Sequence, residues 1–467
     1  MGTDHLASKI RAGILQLREW MSRPVDPAPL VVFRVGFGLL MLSSAVRFLS
    51  KGWVETQYIQ PAFHFRYYLF QWVPGLPGDW LYLVFATQIA CAAMIAIGWH
   101  YRVATIGFFL SFSYVELIDQ TTYLNHYYFI SLVAFLLVLL PLHRWMSLDS
   151  RLNPRVGGGS APRWIPLIFQ AQIAIVYFFA GLAKLNSDWL FDAQPLSIWL
   201  AARSGFPVLG ILFDQSWFAY LMSWSGAAFD LSIPFLLFWR RSRPWAYLGV
   251  IGFHLLTGAL FPIGVFPWVM IASTLIFFDT SDYIRMSTHL KAFIPRKLTE
   301  ESEVRRAPAG VASPVPIGRA LPLALIPFFV FQLLMPLRHL AYPGEVLWTE
   351  EGYRFSWRVM LVEKTGTVFF TITDPATGRS WDEFPGDYLT SQQERQLAFQ
   401  PDMILGFAHY LQDTLRSEGV QNPEIRVQAY VSLNGRRNQP LVDPGLDLTQ
   451  VQRSLSPKTW VLAQNRP

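Results

Sequence analysis

Apolar runs of near-membrane length recur nine times along these 467 residues, at 31–49, 81–97, 103–118, 127–142, 165–185, 218–239, 245–260, 263–278 and 321–335. A soluble core does not absorb so many, whereas a lipid phase does. Because lipid offers the backbone no hydrogen-bond partners, each run must satisfy its own N–H and C=O groups, which predicts helices. Composition agrees: 52% hydrophobic, 16% aromatic and 15% charged residues exclude an ordinary soluble protein of this size. The expectation is a mainly α, polytopic bundle of about nine spans. The shortest runs also suit re-entrant or interfacial segments, so the count is open by about one.

The net charge of +6 is concentrated in loops, which makes it a report on topology and not on nucleic-acid binding. Basic clusters fall at Lys9, Arg11, Arg18 and Arg23, then within 144–163, 240–243 and 285–306. Nine spans put all four on one side, predicted to be cytoplasmic. The connection 119–124 carries no Lys or Arg, so the far end of the fifth span and the start of the fourth are predicted to face outward. The first 24 residues are charged and amphipathic through Ile10, Ile14, Leu17, Trp20 and Met21, which predicts an interfacial helix and not a signal peptide.

The composition shifts after Pro336. From about Glu350 the apolar runs shorten and alternate, at 353–362, 368–373 and 425–433, between turn signals at Lys364-Thr365-Gly366, Asp374 to Gly378 and Asn434-Gly435. Residues 391–416 carry helical periodicity, so this part is predicted to be an extramembrane α+β domain rich in antiparallel strands. The expected organisation is a cytoplasmic arm (1–28), a transmembrane catalytic domain (29–340) and an extracytoplasmic cap (341–467). The loop 153–162 and a Pro, Ala and Ser-rich linker at 305–316 separate spans.

Few groups in the bundle carry chemistry. Lys184 ends the apolar run that begins near Ile165, within Ala180-Gly-Leu-Ala-Lys-Leu-Asn-Ser-Asp-Trp189. An amine there marks a functional site, or else snorkels to the interface; position alone does not choose. Asn125 and His126 open the fourth span, where an imidazole can shuttle protons or serve as an interfacial hydrogen-bonding group. His254, Asp230 and Glu116 are further intramembrane polar groups, for which structural pairing is as good an account as catalysis. The single cysteine, Cys91, excludes a disulfide framework and reads as a small buried side chain. The nine histidines are dispersed, so no metal is expected, and phosphate-binding glycine motifs and a nucleophile elbow are absent.

Several separated motifs, in order, resemble those of the vitamin K-dependent γ-glutamyl carboxylases, within the broader family of HTTM-domain proteins. They are Leu117 to Tyr127 (Leu-Ile-Asp-Gln-Thr-Thr-Tyr-Leu-Asn-His-Tyr), the block from Ile175 to Trp189, Phe253-His254 with Phe261 to Met270, and Tyr353-Arg-Phe-Ser-Trp-Arg-Val-Met360. The resemblance implies a membrane enzyme that couples oxygenation of a reduced naphthoquinone, to its epoxide, with carboxylation of peptidyl glutamate by carbon dioxide. No side chain is basic enough to take a glutamate γ-proton, so the strong base must be made from oxygen and hydroquinone. The protein need only deprotonate the hydroquinone, a task suited to a lysine kept neutral by desolvation.

By match of motif, Lys184 is that base and His126 assists the carbanion or carbon dioxide step. Asn125 and His254 fall to the quinone, and Tyr353 and Trp357 to the glutamate-bearing peptide. The implied cofactor is phylloquinone or menaquinone hydroquinone, with O2 and CO2 as co-substrates and no metal. The implied partners are lipid, quinone and a glutamate-containing protein or peptide, without nucleic acid. Where the family has paired lysines this chain has Ala183-Lys184, and the animal members' disulfide has no counterpart. These departures fit a bacterial cytoplasmic-membrane protein. Two other readings stay open: a quinone epoxidase or oxidoreductase that carboxylates no glutamate, and a non-catalytic quinone-binding membrane protein.

Overall fold

The computed structural model describes residues 2–283 and 320–465; the basic cluster 285–306 and the linker 305–316 lie outside the described residues. The arm is a helix, α1 (Gly2–Ser22). The nine apolar runs each fall on a helix: α2 (Ala28–Ser50), α3 (Gly78–Ile97), α4 (Tyr101–Ile118), α5 (Asn125–Leu139), α6 (Trp164–Ala183), α7 (Ser216–Phe238), α8 (Arg243–Leu260), α9 (Phe266–Thr274) and α10 (Ala320–Leu334). Six of them are long and apolar enough to cross a membrane, α10 counted with the 3-10 turn that extends it to Ala341. Two of the others, α5 and the segment Phe266–Phe277, are shorter than about 18 residues.

Large apolar side chains stand exposed on the outer faces, among them Leu83, Val103, Phe235 and Leu323. In water such a surface would be untenable, and against acyl chains it is the expected one. The inner faces are aromatic and tightly interlocked, as where Phe33 meets Phe169 with ring centroids 4.4 Å apart.

The cap has a four-stranded antiparallel sheet in the order β2-β1-β3-β4, where β1 is Lys364–Thr373, β2 Ser380–Glu383, β3 Glu424–Leu433 and β4 Gln439–Pro440. β1 and β3 pair along their full lengths, from Lys364 opposite Leu433 to Thr373 opposite Glu424. Alternate residues of β3 (Ile425, Val427, Ala429, Val431, Leu433) are buried, and the amphipathic helix α12 (Pro401–Ser417) buries Met403, Ile404, Phe407 and Leu411. Phe370 and Phe407 meet in this core at 5.2 Å.

Two local expectations are corrected, and the helical one is borne out as a pair of helices. The run 353–362 is not a strand, because Phe355, Trp357 and Met360 all take positive φ and the segment folds into successive turns. Lys364-Thr365-Gly366 is not a turn but the start of β1. The periodic stretch 391–416 is two helices, α11 (Ser391–Leu397) and α12, the second opening on Pro401, whose missing N–H suits a first helical position and not an interior one. Asn434 and Gly435, both with positive φ, form the turn at the end of β3 that the sequence signals.

The cap is welded to the bundle. Its core is continuous with Phe65, Trp189, Leu196, Leu200 and Ala219 from the membrane half. Asp119, fully buried between α4 and α5, accepts from Thr121 N at 2.9 Å, Thr121 Oγ1 at 2.7 Å and Gln393 Nε2 at 2.9 Å, and meets His64 Nδ1 at 3.2 Å. One carboxylate thus ties two membrane-domain loops to a cap helix.

Candidate functional site

Lys184 follows the last residue of α6, where the C-terminal carbonyls favour a cation. Its side chain turns inward: Nζ donates to Asp230 Oδ2 at 2.7 Å, lies 3.4 Å from Ala180 O and 5.3 Å from the centre of the Trp189 ring. Lys184 and Asp230 are 5% and 4% exposed, so the lysine does not snorkel. Position in the sequence left burial and snorkelling open for Lys184 and named no counter-ion; the structure supplies one, 46 residues away on α7.

Two backbone features make that meeting possible. Gly181 lets α6 and α7 approach, since a Cβ there would lie 2.8 Å from both Leu231 N and Leu231 Cγ. Pro234, inside α7, has no N–H to return to the carbonyl of Asp230, which loosens the helix at the residue that receives the lysine.

Four residues past Lys184 the chain is clamped by the cap. Asp188 accepts from Arg436 Nη2 at 2.5 Å, Arg436 Nη1 at 2.7 Å and Asn434 Nδ2 at 2.7 Å. The next residue, Trp189, donates from Nε1 to Ser223 O at 2.7 Å, which fixes the ring that faces the lysine.

The other expected site residues form a second group. Asn125 accepts from Tyr123 at 3.1 Å and donates to Arg358 O at 3.1 Å, so the start of α5 is bonded to the cap's first turns. His126 makes no hydrogen bond among the described residues; its ring packs 5.5 Å from Phe266, and Phe266 lies 5.4 Å from His254. His254 Nε2 and the Tyr177 hydroxyl are 2.8 Å apart, while His254 Nδ1 is buried without a partner among the described residues. Tyr177 sits two turns before Lys184 on the same helix, so α6 links the two groups. Trp357 is 1% exposed, stacked on Tyr128 at 4.9 Å, with its Nε1 also unpartnered. Tyr353 stands apart, packed against the core of the cap.

Asp230 as a partner, Tyr177, Asp188 and the Asn434–Arg436 clamp were not assigned from sequence. Tyr177 and Asp188 do lie inside the motif that carries Lys184, and Asp230 was already visible as an unexplained acid in a span.

The HTTM domain family matches residues 22–281, and the vitamin K-dependent gamma-carboxylase lumenal domain matches residues 318–467. The chain belongs to the vitamin K-dependent γ-glutamyl carboxylase family. Both halves of the family's architecture are therefore present in one chain, and the apolar helices make it an integral membrane protein. No solved structure matches it. Against this carboxylase background, the Lys184–Asp230 pair lies within the HTTM match, and the Asn434–Arg436 clamp lies within the lumenal-domain match.

Proposed function

We propose that this protein is a vitamin K-dependent γ-carboxylase-like enzyme in which Lys184 is the base for the hydroquinone. The observation that carries the reading is the buried Lys184–Asp230 pair. An isolated ammonium in such a place would be heavily penalised, whereas a lysine–carboxylate pair is net neutral and holds one proton that either partner can keep. Passing that proton from Nζ to Asp230 Oδ2 leaves a neutral amine, able to accept a proton from a quinol hydroxyl. When bound, the reduced naphthoquinone supplies, with oxygen, the strong base that abstracts the glutamate γ-proton.

The chain's own groups fit such a ligand. His254 Nδ1 and Trp357 Nε1 are buried polar atoms with no partner among the described residues, and Asn125 Nδ2 spends one of its two hydrogens on Arg358. His126, with no hydrogen bond among the described residues, is available to protonate or orient the carboxylation step. In this reading the cap faces outward with the 119–124 connection, and the bundle, residues 29–340, holds the catalytic groups.

The test is direct. Purified protein given reduced vitamin K, bicarbonate, oxygen and a glutamyl peptide is expected to yield γ-carboxyglutamate and quinone epoxide by mass spectrometry. Absence of both with several naphthoquinones would overturn the proposal. Lys184→Ala is expected to abolish epoxide, and His126→Ala to impair carboxylation more than epoxidation.

One observation favours a second reading, quinone epoxidation without glutamate. Lys184, His126 and His254 all belong to the membrane half, while Tyr353, assigned to the peptide, lies within the cap's own packing. Epoxide formed at the same rate with and without any peptide would select this reading.

A further inference from the structure

A cavity of about 840 Å3 lies between the bundle and the cap, and Lys184, Asn125, His126, His254, Tyr353 and Trp357 are not in its lining. Tyr123, Tyr128 and Phe355 line it, and Tyr123 also contacts Asn125 and Tyr128 contacts Trp357. Its membrane-level wall is apolar, from Leu117, Phe331 and Met335, and its cap-level wall is charged. Leu69, Phe331 and Leu455 line it and are 61%, 48% and 59% exposed, which gives the opening an apolar lip.

The charges on that wall do not cancel. Arg354 pairs with Asp402 at 2.8 Å, Glu350 with Lys364 at 3.0 Å, and Glu351 with Lys458 at 3.8 Å. This leaves Arg338 and Arg453 without an ion-pair partner among the described residues, each anchored through backbone carbonyls: Arg338 Nη2 to Arg354 O at 2.6 Å, and Arg453 Nη2 to Arg66 O at 2.8 Å. The lining holds four cations and four carboxylates among the described residues, but Glu350 is engaged by Lys364 from outside the lining, so Arg338, Arg453 and Glu116 are left over, two cations to one anion. Guanidiniums held this way present their remaining N–H groups to whatever fills the space.

We infer that this cavity is a second ligand site, for an anionic amphiphile from the bilayer: an apolar tail along Leu117, Phe331 and Met335, and a phosphate or carboxylate head on Arg338 and Arg453. The match is one of layers. The tail wall is made by spanning helices, and the head wall by Arg338, in the turn that ends the last span, together with Arg453 of the cap, in the order in which a lipid presents its own parts. A free anion would leave the apolar wall unfilled, and a neutral lipid would leave both guanidiniums unpaired.

The experiment uses the full-length protein in detergent, with retention of dioleoylphosphatidylglycerol read by native mass spectrometry against dioleoylphosphatidylcholine, inorganic phosphate and a menaquinol. Preferential retention of phosphatidylglycerol is expected. Arg338→Gln and Arg453→Gln should each reduce it about tenfold, the weight of one charged hydrogen-bonding group. Glu116→Gln should strengthen it. Ser113→Phe narrows the chamber without touching either arginine and should abolish retention, so the proposal stays testable even where an arginine variant fails to fold. Equal retention of the two lipids, unchanged binding in Ser113→Phe, stronger binding of phosphate than of the lipid, or displacement of the lipid by menaquinol in direct competition would each overturn it.

Discussion

Lys184 Nζ and Asp230 Oδ2 stand 2.7 Å apart, with both side chains sealed from solvent on two helices that touch at Gly181. Neither residue is tenable alone at that depth, so the two are energetically one unit.

That unit predicts strong non-additivity. Lys184→Met or Asp230→Asn alone should cost about 3–5 kcal/mol of stability, since each leaves a charge or an acid buried without its partner. The double variant Lys184→Met/Asp230→Leu should cost clearly less than the sum. Thermal unfolding of the four proteins in one detergent closes the cycle, and additive losses would refute the pairing.

Gly181 sets the distance between the helices. Gly181→Val places methyl groups where Leu231 backbone already lies, and overpacking of this kind costs about 1–3 kcal/mol. Helix separation of a few tenths of an ångström would stretch the ion pair, so this variant should lose epoxide formation while still binding quinone. Retained turnover at wild-type rate would show that the close approach does not serve the lysine.

The cap carries an acid-sensitive ion pair away from the membrane. Burial pushes the Asp402 carboxyl up, but the charges of Arg354 and Lys458 outweigh it and hold the group below its ordinary value of 3.8. A carboxyl whose folded pKa is depressed contributes stability that is present above the unfolded pKa and is lost as pH falls through the folded one. Cap unfolding followed by tryptophan fluorescence should therefore steepen below about pH 4. Asp402→Asn should flatten that limb, and an unchanged acid profile would exclude this residue as its source.

Asp188→Asn keeps the shape of the side chain but removes the charge that Arg436 grips at two points. A loss of about 1.5–3 kcal/mol is expected in the docking of the cap, the range for hydrogen bonds to charged groups. Faster limited proteolysis of the cap, with the bundle still intact, is the measurement; unaltered cleavage would mean that the shared hydrophobic core suffices without the clamp.

The spans were legible because a membrane imposes one pattern on every helix, long and apolar, and the same reading placed Asn125, His126 and Lys184 at helix ends on the cap's side. The segment 353–362 was not legible. Its alternation mimics a strand, yet Phe355 packs against Tyr67 and Tyr123 and Trp357 stacks on Tyr128 from turns in which both take positive φ. Helical period likewise said nothing of the break at Pro401 until the proline was given its place at a helix start. Asp230 was visible as an acid in a span, but which base it met depends on how α6 and α7 cross, and no local pattern encodes that.

The clamp on Asp188 also orders events during synthesis. Arg436 lies 248 residues downstream, so the segment bearing the lysine is made and inserted long before its fastener exists. Until the ribosome has delivered the cap's third strand and the turn after it, Asp188 lacks the two-point grip of Arg436. The surroundings of the lysine segment are therefore completed late, by a part of the chain made long after the segment itself.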